Sequence, residues 1–317
     1  MTRVLVTGAT TGIGTALLQR LFARPNVEHI LAVGIEERPS ALPPDSDRFT
    51  YVVCDLTRSR QMRQLIFGPA RTLGIHVVVH SALHRSALDT GKHIHALNVE
   101  CTRELLRLIE RHPTIERFVY RSVAEVYRLD HDLPNLIGED HPLELSSRAP
   151  QWVRDRVEGD LTVCTQMGMS SVSIVVLRCA EILMPEVGSQ LWDYLRSAVC
   201  LRPIGFDPMI NVLSVPDAVR AIERALTCRV QGVFNIPGCD TLPLSRITKN
   251  WGRRDIPLPG PLLSPAYRLR TRTIGTEFRY DLNLTRFHFS GVLDGTRARD
   301  KLHYEPQHSV QWRKAAS

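Results

Sequence analysis

Apolar residues in the first half of the chain form short runs, and between these runs lie segments in which apolar positions recur every three or four residues. The runs have the length of buried strands, and the recurring pattern is typical of amphipathic helices. Such alternation favours right-handed βαβ units in a doubly wound parallel α/β sheet. We predict strands at residues 3–7, 29–35, 48–54, 75–81, 117–122 and 171–178, and helices at 13–22, 59–67, 92–111 and 150–167.

From about residue 183 the pattern becomes irregular and richer in proline. Short helices are predicted there at residues 189–198, 216–226, 244–250 and 296–302. We therefore expect a sheet domain over residues 1–182 and a smaller lobe over 183–317, which covers the substrate side and is interleaved with the sheet.

The turn after the first predicted strand reads TGATTGIG, from Thr7 to Gly14. Glycines there permit positive φ and close approach of a pyrophosphate, whose charge is favoured by the free amides at a helix start. An ordinary loop between strand and helix is the alternative, but strand, turn and helix have the offsets of a Rossmann-type nucleotide site. The residues expected to bind a cofactor here are Gly8, Thr10, Thr11, Gly12, Ile13 and Gly14.

Composition narrows the function classes. The chain has 317 residues, of which 43% are hydrophobic, and a formal net charge of +7. The arginines are scattered and no nucleic-acid motif accompanies them, so we expect no nucleic-acid partner. No apolar run is long enough to span a bilayer and the N-terminus lacks a signal peptide, so we expect a cytoplasmic protein without a membrane span. The seven cysteines lack paired short spacings, which favours free thiols and no metal site.

Further segments follow the glycine turn in a fixed order. They are CDLT from Cys54, VVVHSA from Val77, ALNVECTRELL from Ala96, RFVYRSVAEVY from Arg117, VVLRCAEIL from Val175, INVLSVPDAVRAI from Ile210, GVFNIPG from Gly232 and DGTRARDKLHYEP from Asp294. With the glycine turn, they resemble the extended short-chain dehydrogenase/reductase superfamily, which includes nucleotide-sugar epimerases and dehydratases. The resemblance covers almost the whole chain, although the glycine spacing is closer to the compact branch. It implies a Rossmann-type fold, a bound NAD or NADP and a small-molecule substrate.

The resemblance assigns further cofactor contacts. Asp55 corresponds to the residue that accepts from the adenine amino group, and Leu56 lies beside the ring. Asp55 could equally cap the following helix, a role worth about 1 kcal/mol. Ser81 and Ala82 match the stretch that lines the cofactor ribose, while His80 is expected to be a buried structural residue.

The choice of cofactor depends on the end of the second strand, where a carboxylate suits the ribose hydroxyls of NAD and a basic residue suits the phosphate of NADP. Glu36 favours NAD, whereas Arg38 could meet the additional phosphate. We favour NAD.

The superfamily normally uses an asparagine, a serine or threonine, and a tyrosine with a lysine four residues later. Asn98 matches the asparagine, but the other positions fall on Val123, Trp152 and Arg156. An indole does not titrate, so Trp152 cannot act as an acid. Positioned acid–base catalysis contributes roughly 10²–10⁴-fold, which this route would lose. Arg156 keeps a positive charge that could still bind ribose or phosphate.

No tyrosine in the chain has a lysine four residues on, so a shifted alignment does not restore the pair. Other residues could supply the missing acid–base group or lie close to the reacting part of the substrate. They are His84, Arg85, Glu125, Tyr127 and Glu181. Two function classes therefore remain. One is an atypical oxidoreductase or epimerase with non-standard acid–base groups, and the other is a non-catalytic NAD(P)-dependent sensor or interaction protein.

The resemblance also suggests a homodimer through the helices at 92–111 and 150–167, although packing on the sheet explains their apolar faces equally well.

Overall fold

The computed structural model describes residues 2–84, 86–185 and 187–312. In chain order, the strands are β1 (Thr2–Thr7), β2 (Val27–Gly34), β3 (Phe49–Val53), β4 (Val77–His80), β5 (Arg117–Val123), β6 (Leu136–Ile137), β7 (Ser173–Cys179), β8 (Val199–Pro203), β9 (Met209–Val212), β10 (Gly232–Ile236), β11 (Asp240–Pro243), β12 (Arg254–Leu258) and β13 (Val292–Leu293). The central sheet has the order β3-β2-β1-β4-β5-β7-β10, and its neighbouring strands are parallel. This confirms the Rossmann-type class predicted from the sequence.

Helices cover both faces of the sheet. They are α1 (Gly12–Phe22), α2 (Ser59–Leu65), α3 (Lys92–His95), α4 (Cys101–Ile109), α5 (Gln151–Cys164), α6 (Gln190–Leu195), α7 (Val215–Thr227), α8 (Leu244–Asn250), α9 (Gly260–Ile274) and α10 (Thr296–Leu302). Leu17 of α1 and Ile222 of α7 belong to the core on one face, whereas Met62 of α2 and Leu105 of α4 belong to the core on the other. Both cores are built from the apolar helix stripes that the sequence pattern indicated.

The predicted helix over residues 92–111 is not a regular α-helix. A π-helical turn, Ala96–Glu100, separates α3 from α4 and contains Asn98. A second π-helical turn, Ile66–Ala70, follows α2 and contains Pro69. Proline cannot donate the backbone bond that a regular helix requires at that position, which explains why α2 ends early.

The second half of the chain returns to the sheet. After β7 the chain forms α6, β8, β9 and α7, and then adds β10 beside β7, with Gly232 opposite Val175. The separate C-terminal core contains Tyr194, Tyr267 and Phe278. Residues 183–317 thus supply both a strand of the sheet and a covering lobe, and the boundary at residue 182 stays a proposal.

Helix α9, with 15 residues, is the longest element that the sequence analysis did not predict, and the sheet strand β10 was not predicted either. The proline content of α9, including Pro265 inside the helix, disguised the helical pattern. Leu263 and Tyr267 on its inner face are fully buried, so tertiary packing compensates for the lost backbone hydrogen bond. Across the ranges given above, no helix has both the length and the hydropathy needed to cross a bilayer.

Candidate functional site

The glycine turn joins β1 to α1 at the carboxyl edge of the sheet, where open α/β folds bind ligands. Gly8 has a φ of +71° and packs against the backbone of Ala82. A Cβ on Gly14 would collide with the Gly8 carbonyl oxygen, so this position requires glycine for close packing of helix and strand. Thr11 caps α1 by accepting from the Gly14 amide at 3.1 Å. The turn therefore presents its backbone, as a phosphate site requires.

A cavity of about 430 Å³ lies beside this turn, above β1, β2 and β3. This volume falls within the range of small-molecule sites, about 300–1,000 Å³. The cofactor residues proposed from the sequence that line it are Gly8, Thr10, Thr11, Glu36, Asp55, Leu56 and Ala82. Those that do not line it are Gly12, Ile13, Gly14, Ser81 and Arg156.

The carboxylate of Glu36 is held towards the glycine turn, because Thr10 Oγ1 donates to Glu36 Oε2 at 2.6 Å. Arg38 points elsewhere: it forms an ion pair with Asp45 and donates to the Pro43 carbonyl. The cavity wall at the end of β2 is thus acidic rather than basic.

Asp55 lies at the far end of the cavity. Its Oδ1 accepts from the amide and hydroxyl of Thr57 at 2.9 and 2.6 Å, and its Oδ2 accepts from Arg58 Nε at 3.1 Å. Although burial alone would raise the pKa of Asp55, these hydrogen bonds hold it below its ordinary value. The carboxylate is therefore a charged acceptor that shapes the turn before α2 and also faces the cavity.

The remaining proposed cofactor residues have structural surroundings. Ile13 is buried in the core, and Ser81 Oγ donates to the Thr7 carbonyl at 2.9 Å. His80 is enclosed between the hydroxyls of Thr7 and Thr102, at 2.7 and 3.0 Å. Burial lowers the pKa of His80 to about 4, so the ring is neutral. This agrees with its expected structural role.

The second glycine of the turn faces a side chain from beyond β7. A Cβ on Gly12 would collide with Met184 Sδ, so the thioether lies directly on the bare face of this residue. Met184 is half-buried and packs against the core shared by α1. The sequence analysis did not single out Met184, because the contact joins segments far apart in the chain.

Asn98 occupies the π-helical turn between α3 and α4. Its Oδ1 accepts from the backbone amide of His84 at 2.9 Å. The His84 ring pairs with Asp89 at 2.8 Å, and its side chain faces the large cavity. His84 thus lines the large cavity, away from Glu125, while Arg85 lies outside the described residues.

Trp152 lies on the first turn of α5 and is buried. Its Nε1 donates to the Leu282 carbonyl oxygen at 3.1 Å. The only polar atom of the indole side chain is therefore occupied by the C-terminal lobe.

Arg156, one turn further along α5, is also buried. Its Nη1 lies 2.8 Å from Glu125 Oε1, its Nη2 donates to the Gly188 carbonyl at 2.5 Å, and its guanidinium stacks over Trp152 at 4.7 Å from the ring centre. The positive charge at the lysine position of the superfamily is neutralised within the protein.

Two other proposed positions are part of the core. Val123 is buried and has no polar atom to offer. The Tyr127 hydroxyl donates to Asn235 Oδ1 at 2.6 Å and accepts from Arg178 at 3.1 Å. Burial raises the pKa of Tyr127 to about 12 despite the nearby Arg178, so its proton is held firmly.

Glu181 follows β7 and is buried close to Glu125. Its Oε2 accepts from Ser189 Oγ at 2.7 Å, and Arg286 lies 3.4 Å from Oε1. Burial and the charge of Glu125 raise the pKa of Glu181 to about 7. Ser189 and Arg286 were not expected from the sequence, because no local pattern marks them.

A second cavity, of about 260 Å³, separates the start of α5 from the C-terminal lobe. Glu125, Tyr127, Trp152 and Arg286 line it together. Thus Glu125 and Tyr127 share one cavity, whereas His84 faces the other. In the portion of the chain that the structure describes, no three histidine, cysteine or acidic side chains are grouped for a metal ion.

Comparisons with known proteins agree with this architecture. The family model of the NAD dependent epimerase/dehydratase family matches residues 4–196. An uncharacterized protein of Mycobacterium tuberculosis is 28% identical over 312 residues, which cover 96% of this chain and 80% of that protein.

Solved structures show the same fold at low identity. UDP-glucuronic acid 4-epimerase from Bacillus cereus, in complex with NAD, is 19% identical with a TM-score of 0.70, covering 97% of this chain and 94% of that one. UDP-glucose 4-epimerase from Thermotoga maritima, with UDP-glucose, is 16% identical with a TM-score of 0.71 over the same shares. Since the family model spans more than half of the sequence, the chain belongs to the NAD dependent epimerase/dehydratase family.

Proposed function

We propose that this chain is an NAD-binding member of its family that does not use the tyrosine-dependent proton transfer of the wider superfamily. The observation that carries the proposal is the Trp152 Nε1 bond to the Leu282 carbonyl. A non-titrating group stands at the acid position, and its one donor already has a partner. The pairing of Arg156 with Glu125 supports the same conclusion, because the cation at the lysine position is neutralised.

The binding part of the proposal rests on the large cavity. Gly8 and Ala82 supply its backbone wall, Glu36 an acceptor suited to ribose hydroxyls, and Asp55 an acceptor suited to the adenine amino group. These residue types fit an adenine dinucleotide. The carboxylate of Glu36, together with the engagement of Arg38 by Asp45, favours NAD over NADP. The bound cofactor, where it reacts at all, would supply hydride transfer.

Calorimetry with NAD and NADP tests this proposal directly. We expect NAD to bind, and Gly8→Ala to weaken binding strongly, since a Cβ there would lie 3.0 Å from the Ala82 amide at a positive φ. Gly68→Ala is the matched control, because a Cβ at that position meets nothing within 4 Å. Absence of binding by either cofactor at millimolar concentration to folded protein would refute the proposal.

An atypical enzyme is the second candidate, and Glu181 is the observation that favours it. With a pKa of about 7, this buried carboxyl, which contacts Arg286 on the wall of the smaller cavity, could hold or release a proton near neutral pH. Incubation with NAD and either UDP-glucose or UDP-glucuronic acid, followed by chromatography of the sugars, tests this candidate. Conversion that is lost in Glu181→Gln but kept in the exposed variant Glu37→Gln would support it, and no conversion by the wild type would count against it.

A further inference from the structure

We propose that Met184 divides the cofactor cleft, leaving the adenine half open and covering the start of the nicotinamide half, so that the site binds adenine nucleotides without a nicotinamide group at least as tightly as NAD. This inference rests on the proposed nucleotide binding and names the ligand class of the same site. Two mononucleotide-binding halves normally share a dinucleotide across the middle of the sheet. In this chain, one half is an open cavity, whereas side chains of the protein itself occupy part of the other half.

The open half is the large cavity. Its wall runs from Glu36 and Asp55, above β2 and β3, to Gly8 and Ala82 beside β1 and β4. None of Gly12, Asn98 and Arg156 lines it. Acceptors for an adenine amino group and for ribose hydroxyls therefore line the cavity. Gly12, Asn98 and Arg156, which would serve the other half of the ligand, lie outside it.

Met184 lies at the boundary between the halves. The second glycine of a dinucleotide turn normally lets the pyrophosphate approach the backbone. In this chain, the bare face of Gly12 is covered by the Met184 thioether, and a Cβ at position 12 would collide with it. The amides of Gly12 and Ile13 precede the first backbone bond of the helix, from Thr15 to Thr11. The sulfur thus covers part of the helix start that would meet the second phosphate.

Contacts within the protein also occupy the positions beyond this boundary. Arg156, at the position that binds the nicotinamide ribose in the superfamily, is held by the Gly188 carbonyl and by Glu125. Both Glu125 and Arg156 are buried. A ligand that reached this region would have to displace charge-assisted hydrogen bonds, which are among the stronger interactions in proteins.

The free energy of binding should therefore differ between a nucleotide without nicotinamide and NAD. AMP places its adenine, ribose and single phosphate in the open half without moving Met184. NAD must move the half-buried thioether before its nicotinamide ribose can pass Gly12. Re-exposing such a side chain weakens binding by about tenfold. Met184 is accordingly a specificity-determining residue, because it obstructs the nicotinamide end of the ligand and leaves the adenine end free.

The test is calorimetric titration of the full chain with AMP and with NAD. We expect the wild type to bind AMP at least as tightly as NAD, and Met184→Ala to bind NAD about tenfold more tightly with AMP affinity unchanged. Met169→Ala is the control, because Met169 is 79% exposed and should alter neither affinity.

The outcomes separate this inference from the proposed function. Binding of neither AMP nor NAD by folded wild type would refute both. Tighter binding of NAD than of AMP by the wild type, with no effect of Met184→Ala, would overturn the inference and leave NAD binding intact. An equal gain for both ligands would also overturn it, because Met184 would then act on the shared half.

Discussion

Arg156 Nη1 lies 2.8 Å from Glu125 Oε1, and each side chain is only 4% exposed. Both residues are at positions that the sequence marks for chemistry, yet in the structure they neutralise each other. Buried ion pairs add little net stability, but removing one partner leaves an unpaired buried charge. This buried pair is therefore a structural element, and the loss of one partner should destabilise the fold.

Glu125→Ala should lower the free energy of unfolding by about 3–5 kcal/mol, because it strands the Arg156 guanidinium. The double variant Glu125→Leu with Arg156→Met should recover much of that loss, since neither charge then remains. Urea denaturation of the wild type and both variants measures the difference. A single variant that unfolds within 1 kcal/mol of the wild type would show that water or another group compensates Arg156.

Restoring the superfamily's residues should restore some chemistry. In the triple variant Val123→Ser, Trp152→Tyr and Arg156→Lys, we expect any NAD-dependent redox turnover to rise, by up to roughly 10²–10⁴-fold. NADH absorbance with a panel of UDP-sugars provides the readout, and Trp192→Tyr serves as a tryptophan control outside the site. Unchanged turnover in a triple variant that is folded and still binds cofactor would indicate a different mechanism.

Stability should depend on pH through Glu181. The pKa of this carboxyl rises from 4.5 to about 7 on folding, chiefly because of burial and then because of Glu125. The folded protein thus binds the proton more tightly, so the stabilisation is complete below pH 4.5 and is lost as the pH rises through about 7. The groups facing the carboxyl are Glu125, Arg156, Ser189 and Arg286.

Thermal or urea unfolding at a series of pH values tests this dependence. The stability of Glu181→Gln relative to the wild type should increase between pH 4.5 and 7, because the glutamine does not titrate. Glu37→Gln, at an exposed position, should show a constant difference across the same range. A constant difference for Glu181→Gln as well would mean that folding does not raise the pKa of Glu181.

Glu36 should set the preference between the two cofactors. Its carboxylate, held by Thr10, would repel the 2′-phosphate of NADP. Glu36→Gln should therefore raise NADP affinity by about threefold to tenfold at low salt while changing NAD affinity less. Competition binding of NAD and NADP measures the ratio, with Glu37→Gln as the neighbouring control. An unaltered ratio would place the 2′-hydroxyl away from Glu36.

Local signals account for the parts of the fold that the sequence predicted correctly. The glycine turn is determined by residues within one segment, from Thr7 to Gly14, and the strands by continuous apolar runs. Helix α9 could not be predicted in this way, because Pro265 normally argues against a helix and the burial of Leu263 and Tyr267 outweighs it.

The hydrogen-bond partners of the candidate site residues could not be predicted from the sequence, for a different reason. Substitution at Trp152 and Arg156 is visible in the sequence, but the groups that bind them are not. The Leu282 carbonyl is 130 residues from Trp152, and the Gly188 carbonyl is 32 residues from Arg156. Backbone carbonyls carry no residue-type signal, so only the tertiary structure shows that both side chains are already engaged.

The position of β10 affects how the chain can be assembled on a ribosome. β7 pairs with β5 on one side and with β10 on the other, and Gly232–Ile236 follows β7 by a long stretch of chain. Until that stretch has been synthesised, β7 presents an unpaired apolar edge, which is a template for aggregation. Nascent chains stalled before Gly232 should therefore depend on chaperones, whereas those that include α7 and β10 can close the sheet.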